Sequence, residues 1–420
     1  MKILHVNASY KPAYVYGGPT ISVAKLCEEV GFDSAQPDEG FAQSGFDSAQ
    51  PDNDSLPTRQ AGAQPDSDYR QKIEVSVYTT LANGREELPY TNGELLNVNG
   101  VNVRYFKRIT KDHSHFSPSF LIHFWKNVNV FDIIHIHAWW NLVSVGAAFI
   151  CVLKGRPYIL SPRGTLSTYS FYNRKAIVKR FFHSLVGKPL LKRATFQVSS
   201  AKEKRDIEQI FDASAKAYII PNFVELKRAW EKDFAVNLNH QKAEILFFSR
   251  IEEKKGLEFL LEACALLTIP YHLTIAGSGE EVYVRTLKIL SEKLGIAQHV
   301  TWLGLVASEH KFEVLAQYDL LVLPSYDENF ANVVIESLAC GTPVLLSPKV
   351  GLADYVTEKK LGWVVDQDSK LIASHLEMIF EKTKAESISL RKAARLTIKE
   401  DFSEKALTKA YIHFYQSIMK

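Results

Sequence analysis

Two glutamates, an arginine and a lysine are the residues of this sequence best placed to do chemistry. Residues 327–344 read DENFANVVIESLACGTPV, with Glu328 and Glu336 eight positions apart. If a loop here enters a helix near residues 329–331, Glu336 lies about two turns inside it. Two such carboxylates can touch separate parts of one elongated ligand, with the helix start between them. That start offers unpaired amides, from Asn329, Phe330 and Ala331, and a partial positive charge suited to a diphosphate. Taken alone, two glutamates at this spacing read as solvated helix residues; their company changes the reading. Arg250 ends the first predicted strand of the second half, and Lys255-Gly256 precedes a predicted helix over 257–266. These two cations can neutralise two phosphates without a metal. Gly277-Ser278-Gly279 closes the next strand, where a backbone without side chains can approach a ligand.

The elements that must position these groups follow from the hydrophobic pattern. Short apolar runs alternate with amphipathic stretches, the pattern of parallel sheets covered by helices. Predicted strands in the first half cover 3–7, 73–79, 101–106, 133–137, 158–161, 196–199 and 218–221. In the second half they cover 245–249, 272–276, 300–304, 320–324, 344–347 and 363–365. Each series fills a doubly wound α/β sheet, and ligands of such sheets bind at the carboxyl ends of the strands. The break falls near residues 222–230. A final helix, 402–419, either closes the second domain or crosses back to brace the first.

The second half closely resembles the donor domain of glycosyltransferase family 4. The resemblance rests on SRIEEKKG at 249–256, AGSG at 276–279, and ENFANVVIE followed by ACGTPV. In the first half YGGPT at 16–20, HIH at 135–137, SPRG at 161–164 and IPNFVE at 220–225 fit it more loosely. The family implies the GT-B architecture: two Rossmann-like α/β domains whose parallel sheets face each other across a cleft. Residues 1–222 would form the acceptor domain and 223–401 the donor-nucleotide domain, with 402–420 the C-terminal helix.

The resemblance also implies roles. Arg250 and Lys255 would hold the donor diphosphate, and Gly277 lies at the same site. Glu336 would bond the ribose hydroxyls, and Glu328 would face the donor sugar near the reacting carbon. Gly17 and Gly18 would form a loop closing over the phosphates. His137 would contact the donor sugar and assist the reaction, while His135 is expected on the opposite face of its strand, packed in the core. Arg163 is assigned to the acceptor side. The family often has Gly where Ala331 and Phe223 stand here. The implied activity is retaining transfer from a UDP- or GDP-sugar to a saccharide or lipid-linked hydroxyl, with the departing phosphate deprotonating the acceptor.

No cofactor or metal is expected. The Asp-x-Asp triplets at 52–54 and 66–68 fall in a repeat segment, and that at 366–368 follows a late strand. A dehydrogenase is excluded in detail, because Val282 stands where the third glycine of the Gly277-x-Gly279 fingerprint would be. An epimerase or phosphorylase on the same fold remains an alternative, as does a catalytically silent nucleotide-sugar binder.

Composition sets the outer bounds. The 420 residues, 46% hydrophobic and 23% charged with net charge +3, fit a globular protein and argue against a nucleic-acid binder. Four scattered cysteines read as buried thiols in a cytoplasmic protein with no signal peptide. Residues 31–38, GFDSAQPD, recur letter for letter at 45–52, and AQPD returns in phase at 63–66. So polar a repeat cannot bury enough surface to fold, so 31–70 reads as a disordered insertion. From Arg174 to Arg193 the chain reads RKAIVKRFFHSLVGKPLLKR. This is either a basic amphipathic helix lying on an anionic membrane or a covering helix with a solvated basic face.

Overall fold

The structure, a computed structural model, describes residues 1–33, 73–172, 182–211, 215–231, 242–382 and 384–419. Most of the 31–70 repeat and residues 173–181 of the basic stretch lie outside the described residues, as do the triplets at 52–54 and 66–68.

Two sheets carry the chain. Strands β1 (Lys2–Val6), β2 (Glu74–Thr80), β5 (Leu95–Val98), β6 (Val101–Phe106), β7 (Ile133–His137), β8 (Tyr158–Ser161), β9 (Ala194–Val198) and β10 (Ala217–Ile219) form the first, in the order β10-β9-β8-β7-β1-β2-β6-β5. Two short strands, β3 (Ala82–Asn83) and β4 (Glu86–Glu87), pair separately. The second sheet holds β11 (Ala243–Phe248), β12 (Tyr271–Ala276), β13 (Val300–Gly304), β14 (Leu320–Leu323), β15 (Val344–Leu346) and β16 (Gly362–Val364), in the order β13-β12-β11-β14-β15-β16.

All pairings in the two sheets are parallel except β5 with β6. The sequence reading missed β5, although its signal was present. Asn99 and Gly100 both take positive φ, 51° and 84°, as an Asn-Gly hairpin turn requires.

Strand order reverses between β1 and β7 in the first sheet and between β11 and β14 in the second. Crevices open beyond the strand ends at such points. Both predicted clusters sit there: β7 ends on His137, and β11 and β14 lead into Arg250 and Glu328.

Side-chain alternation splits the first domain's core in two. Ile3, Val75, Val103, Ile133 and Ile159 face one layer, which includes the helix α1 (Gly18–Asp33). Leu4, Val6, Ile134, Ile136 and Leu160 face the other, built from α2 (Pro118–Asn127) and α3 (Leu142–Leu153). The C-terminal helix Glu404–Met419 joins the first layer through Leu407, Tyr411, Phe414 and Tyr415. It therefore crosses back over the first domain. Phe223, where family members often have Gly, is buried and stacks on Tyr411 at 5.7 Å, lining the path of the returning helix. All four cysteines are buried and unbonded.

Candidate functional site

A cavity of about 500 Å³ lies between the two sheets' carboxyl ends. Gly17, Gly18 and Arg163 line it from the first domain. From the second domain come Arg250, Lys255, Gly277, Glu328 and Glu336, with the segment Asn329, Phe330 and Ala331. Of the residues given a catalytic, donor-binding or acceptor-side role from sequence, His137 alone is absent from this lining.

Two helix starts face the cavity. α1 begins at Gly18, and the helix Asn332–Ala339 begins just after the expected 329–331, with no side-chain cap. A Cβ on Gly18 would come 3.6 Å from the side-chain Nδ2 of Asn332, so the two starts face each other across one side chain. Unpaired first-turn amides and two aligned dipoles thus converge from opposite walls. The later start has a cause in Ala331, whose φ of 69° is left-handed. An L-residue with a side chain resists that conformation, which accounts for the glycine common there.

The charges of the second wall come in pairs. Lys255 bonds Glu328, and Lys311 Nζ lies 2.7 Å from Glu336. Arg250, with its side chain 74% exposed, reaches Glu252 at 2.7 Å. Lys311 had escaped the sequence reading, because an isolated lysine at a helix start carries no pattern. The glycines after β12 serve the backbone itself. A Cβ on Gly277 would strike the Ser249 carbonyl, and Gly277 holds φ at 144°. The Asp366–Asp368 triplet is structural at one end: the Asp368 carboxylate caps the helix Ser369–Phe380, accepting from two amides at 2.9 Å.

The first wall is held by a hydrogen-bonded chain of neutral rings. β1 and β7 pair His5 with His135, and His137 lies two residues on. Residues two apart on a strand share a face, so the expectation that His135 points away from His137 is corrected: their ring centroids are 4.2 Å apart. All three histidines are fully buried. Burial first, then neighbouring rings and Arg163, pushes His135 and His137 well below the usual imidazole range, while burial and Arg163 lower His5 to about 3.

Arg163 fixes the tautomers. Its Nε donates to His137 Nδ1 at 3.2 Å, so His137 carries its proton on Nε2 and donates to His5 Nδ1 at 2.9 Å. His5 Nε2 then bears a proton with no partner among the described residues. His135 donates to Ser161 Oγ at 2.6 Å, since that hydroxyl is itself given to Gln197, and accepts from the Tyr415 hydroxyl at 2.9 Å. His137 therefore stands behind Arg163, its free lone pair already engaged, and does not reach the cavity.

Arg163 Nη1 donates to Asn222 at 2.9 Å, and no carboxylate among the described residues forms an ion pair with it. The three histidine rings hold donor nitrogens within 4.8 Å of one another, close enough to share a cation. The bonds just described and the adjoining guanidinium oppose one.

Asp327 joins the walls. It takes Lys202 of the first domain at 2.6 Å and Lys254 of the second at 3.0 Å, with Ser167 at 3.2 Å. Burial alone would raise its carboxyl pKa, but the two lysines hold it below the usual range. Asn329 adds a second bridge, donating to Ser199 Oγ at 3.0 Å and accepting from Ser200 Oγ at 3.1 Å.

Known proteins resemble this chain in sequence and in fold. The profile of the glycosyl transferases group 1 family matches residues 228–397, and that of glycosyltransferase family 4 matches residues 69–228. The chain belongs to the family-4 type of glycosyltransferases, with the GT-B fold. Among relatives, the uncharacterized glycosyltransferase MJ1607 of Methanocaldococcus jannaschii is 26% identical over 80% of this chain and 91% of its own. A D-inositol 3-phosphate glycosyltransferase of Mycobacterium sp. strain KMS is 34% identical over 31% of this chain and 30% of its own. The crystal structure of Anabaena Alr3699/HepE in complex with UDP and glucose superposes over 99% of this chain and 100% of that one, with TM-score 0.67 and 16% identity.

Proposed function

We propose that this glycosyltransferase moves a sugar from a UDP- or GDP-sugar to a hydroxyl of a saccharide or lipid-linked acceptor, with retention and without a metal. The observation that carries this reading is the convergence of Arg250, Lys255 and two helix starts on one cavity. Fixed donors and cations aimed at a leaving diphosphate stabilise the charge that develops as its bond to the sugar breaks. Glu336 would bond the ribose hydroxyls, with Lys311 orienting it, and Glu328 would face the donor sugar. The HepE complex, which holds UDP and glucose, supports a nucleotide-sugar donor. Retention, with the departing phosphate oxygen taking the acceptor proton, rests on the family resemblance. The work fits assembly of a cell-surface polysaccharide or lipid-linked oligosaccharide.

The test is titration of UDP, GDP, ADP and dTDP with EDTA present, for wild type, Arg250→Ala and Glu336→Ala. Tight binding of one nucleotide, weakened about tenfold or more in both variants, is expected for lost charge-assisted bonds. A folded protein that binds none of them, or binds only when a divalent cation is restored, would overturn the reading. Turnover of the sugar nucleotide with no acceptor present would point instead to an epimerase. Preference for a small soluble alcohol over lipid acceptors would overturn the pathway.

A further inference from the structure

We propose that the outward face of α2 and α3 is the surface by which this protein lies on an anionic lipid bilayer. α2 buries Phe120 and Phe124 and turns Ile122 and Trp125 outward, 59% and 42% exposed. α3 turns out Phe149 and Leu153, 49% and 56% exposed, on successive turns of one side. The helices sit close because α3 has Gly146 where Leu121 of α2 presses in, a place where any Cβ would collide. At their far ends Lys154 Nζ stands 4.0 Å from the centre of the Trp125 ring. Four large apolar side chains thus share one side of a helix pair, with an indole and an ammonium at its edge. Indoles and lysine stems favour the boundary between hydrocarbon and headgroups.

Charge decides between a membrane and a protein partner. Residues 113–202 contain twelve lysines and arginines and one acid, Asp132, in a chain whose total is only +3. The rest of the sequence is therefore net negative, and Lys126 and Lys154 stand beside the apolar residues of the face itself, so an anionic surface would attract it. Beyond the helix pair, Lys188, Lys192 and Arg193 are exposed in the described part of the basic stretch. No described helix is long and apolar enough to cross a bilayer, so contact would be with its surface. The face is joined to the cleft by α3, which starts beside the cleft and runs out to the apolar residues at its far end. α3 is capped by Asn141, four residues beyond the strand end at His137, so its first turn borders the cleft. The proposal deepens the lipid-linked acceptor reading and rests on it for its purpose. The two can fail separately, because none of these residues lines the nucleotide cavity.

The experiment is flotation of the full chain with vesicles of phosphatidylcholine alone or mixed with phosphatidylglycerol. Wild type should float with the mixed vesicles, and high salt should release it. Trp125→Ala with Leu153→Glu should lower the bound fraction about tenfold, and Lys126→Glu with Lys154→Glu, which leaves the apolar residues in place, should do likewise. Nucleotide binding should survive in both variants, which also shows that they fold. Wild type that ignores phosphatidylglycerol, or variants that float like wild type, would overturn the proposal. So would a wild-type dimer in sedimentation that the first variant splits, since a second copy would then cover this face.

Discussion

On the second-domain wall of the cleft, charged side chains stand in separate ion pairs: Arg250 with Glu252 in solvent, Lys255 with Glu328 and Lys311 with Glu336 largely enclosed. The first-domain wall places one guanidinium, Arg163, over three buried neutral imidazoles, each bonded in a single direction. Each such pair is held by its own two charges, so a ligand's phosphates or hydroxyls can take the place of one partner. A buried chain of donors and acceptors cannot trade partners in this way, because each broken link leaves an unpaired polar group. The second wall is thus built to exchange partners, and the first to hold Arg163 still.

The two walls should respond differently to damage. The largest effect is expected at their junction. Asp327→Ala would leave Lys202 with Asp206 alone and Lys254 with no carboxylate there, at up to about 3–5 kcal/mol, the loss for a broken buried ion pair. A urea-unfolding midpoint would show it; a loss below about 1 kcal/mol would mean that water already screens the pair.

Next comes the imidazole chain. His5→Leu removes the acceptor for His137 Nε2–H, and a loss of about 1–3 kcal/mol is expected. Acid separates this wall from the junction. His5 titrates at an ordinary 6.5 when unfolded and at about 3 when folded, so its stabilisation is complete above pH 6.5 and fades as pH falls toward 3. Each such histidine contributes a slope of about 1.4 kcal/mol per pH unit, and His5→Leu should flatten the profile by one proton. Asp327, held below the usual carboxylate range, keeps its contribution until pH drops under about 4. Equal slopes for wild type and His5→Leu between pH 6 and 5 would sink the assignment.

Smaller again is Lys311→Ala. It frees the Glu336 carboxylate to turn, and nucleotide affinity should fall by about fivefold, or roughly 1 kcal/mol, with a stability loss smaller than that at Asp327, since Lys311 is itself partly exposed. The smallest is Ala331→Gly. Relief of about 1–2 kcal/mol of left-handed strain, set against about 0.5–1 kcal/mol for glycine's freedom in the unfolded chain, should leave a slight gain in thermal stability.

The same contrast governs what could be read before the fold was known. The second wall is written in short contiguous motifs, each at a strand end or a helix start, so Arg250, Lys255, Glu328 and Glu336 stood out from local spacing. The first wall depends on register. His5 and His135 meet because β1 pairs with β7, and nothing local in either strand announces it. Tyr415 comes from still farther away, on a helix whose destination the sequence left open. His137 looked free to touch a sugar because Arg163, with its unusual φ of 52°, could not be foreseen folding over it. The misplacement of His135 was a plain error of strand periodicity, and β5 was an overlooked Asn-Gly turn. Ala331 shows a substitution legible as a departure whose meaning came only with its dihedral angle.

The return of the C-terminal helix has a consequence for synthesis. Tyr411 and Tyr415 are fully enclosed in the first domain, yet the ribosome makes them only after the whole second domain. The domain begun first is therefore finished last, and its trough stands open while the second domain emerges and folds. A fragment cut in the connecting segment would keep that trough exposed, whereas the second domain carries its own apolar centre within one continuous stretch of chain.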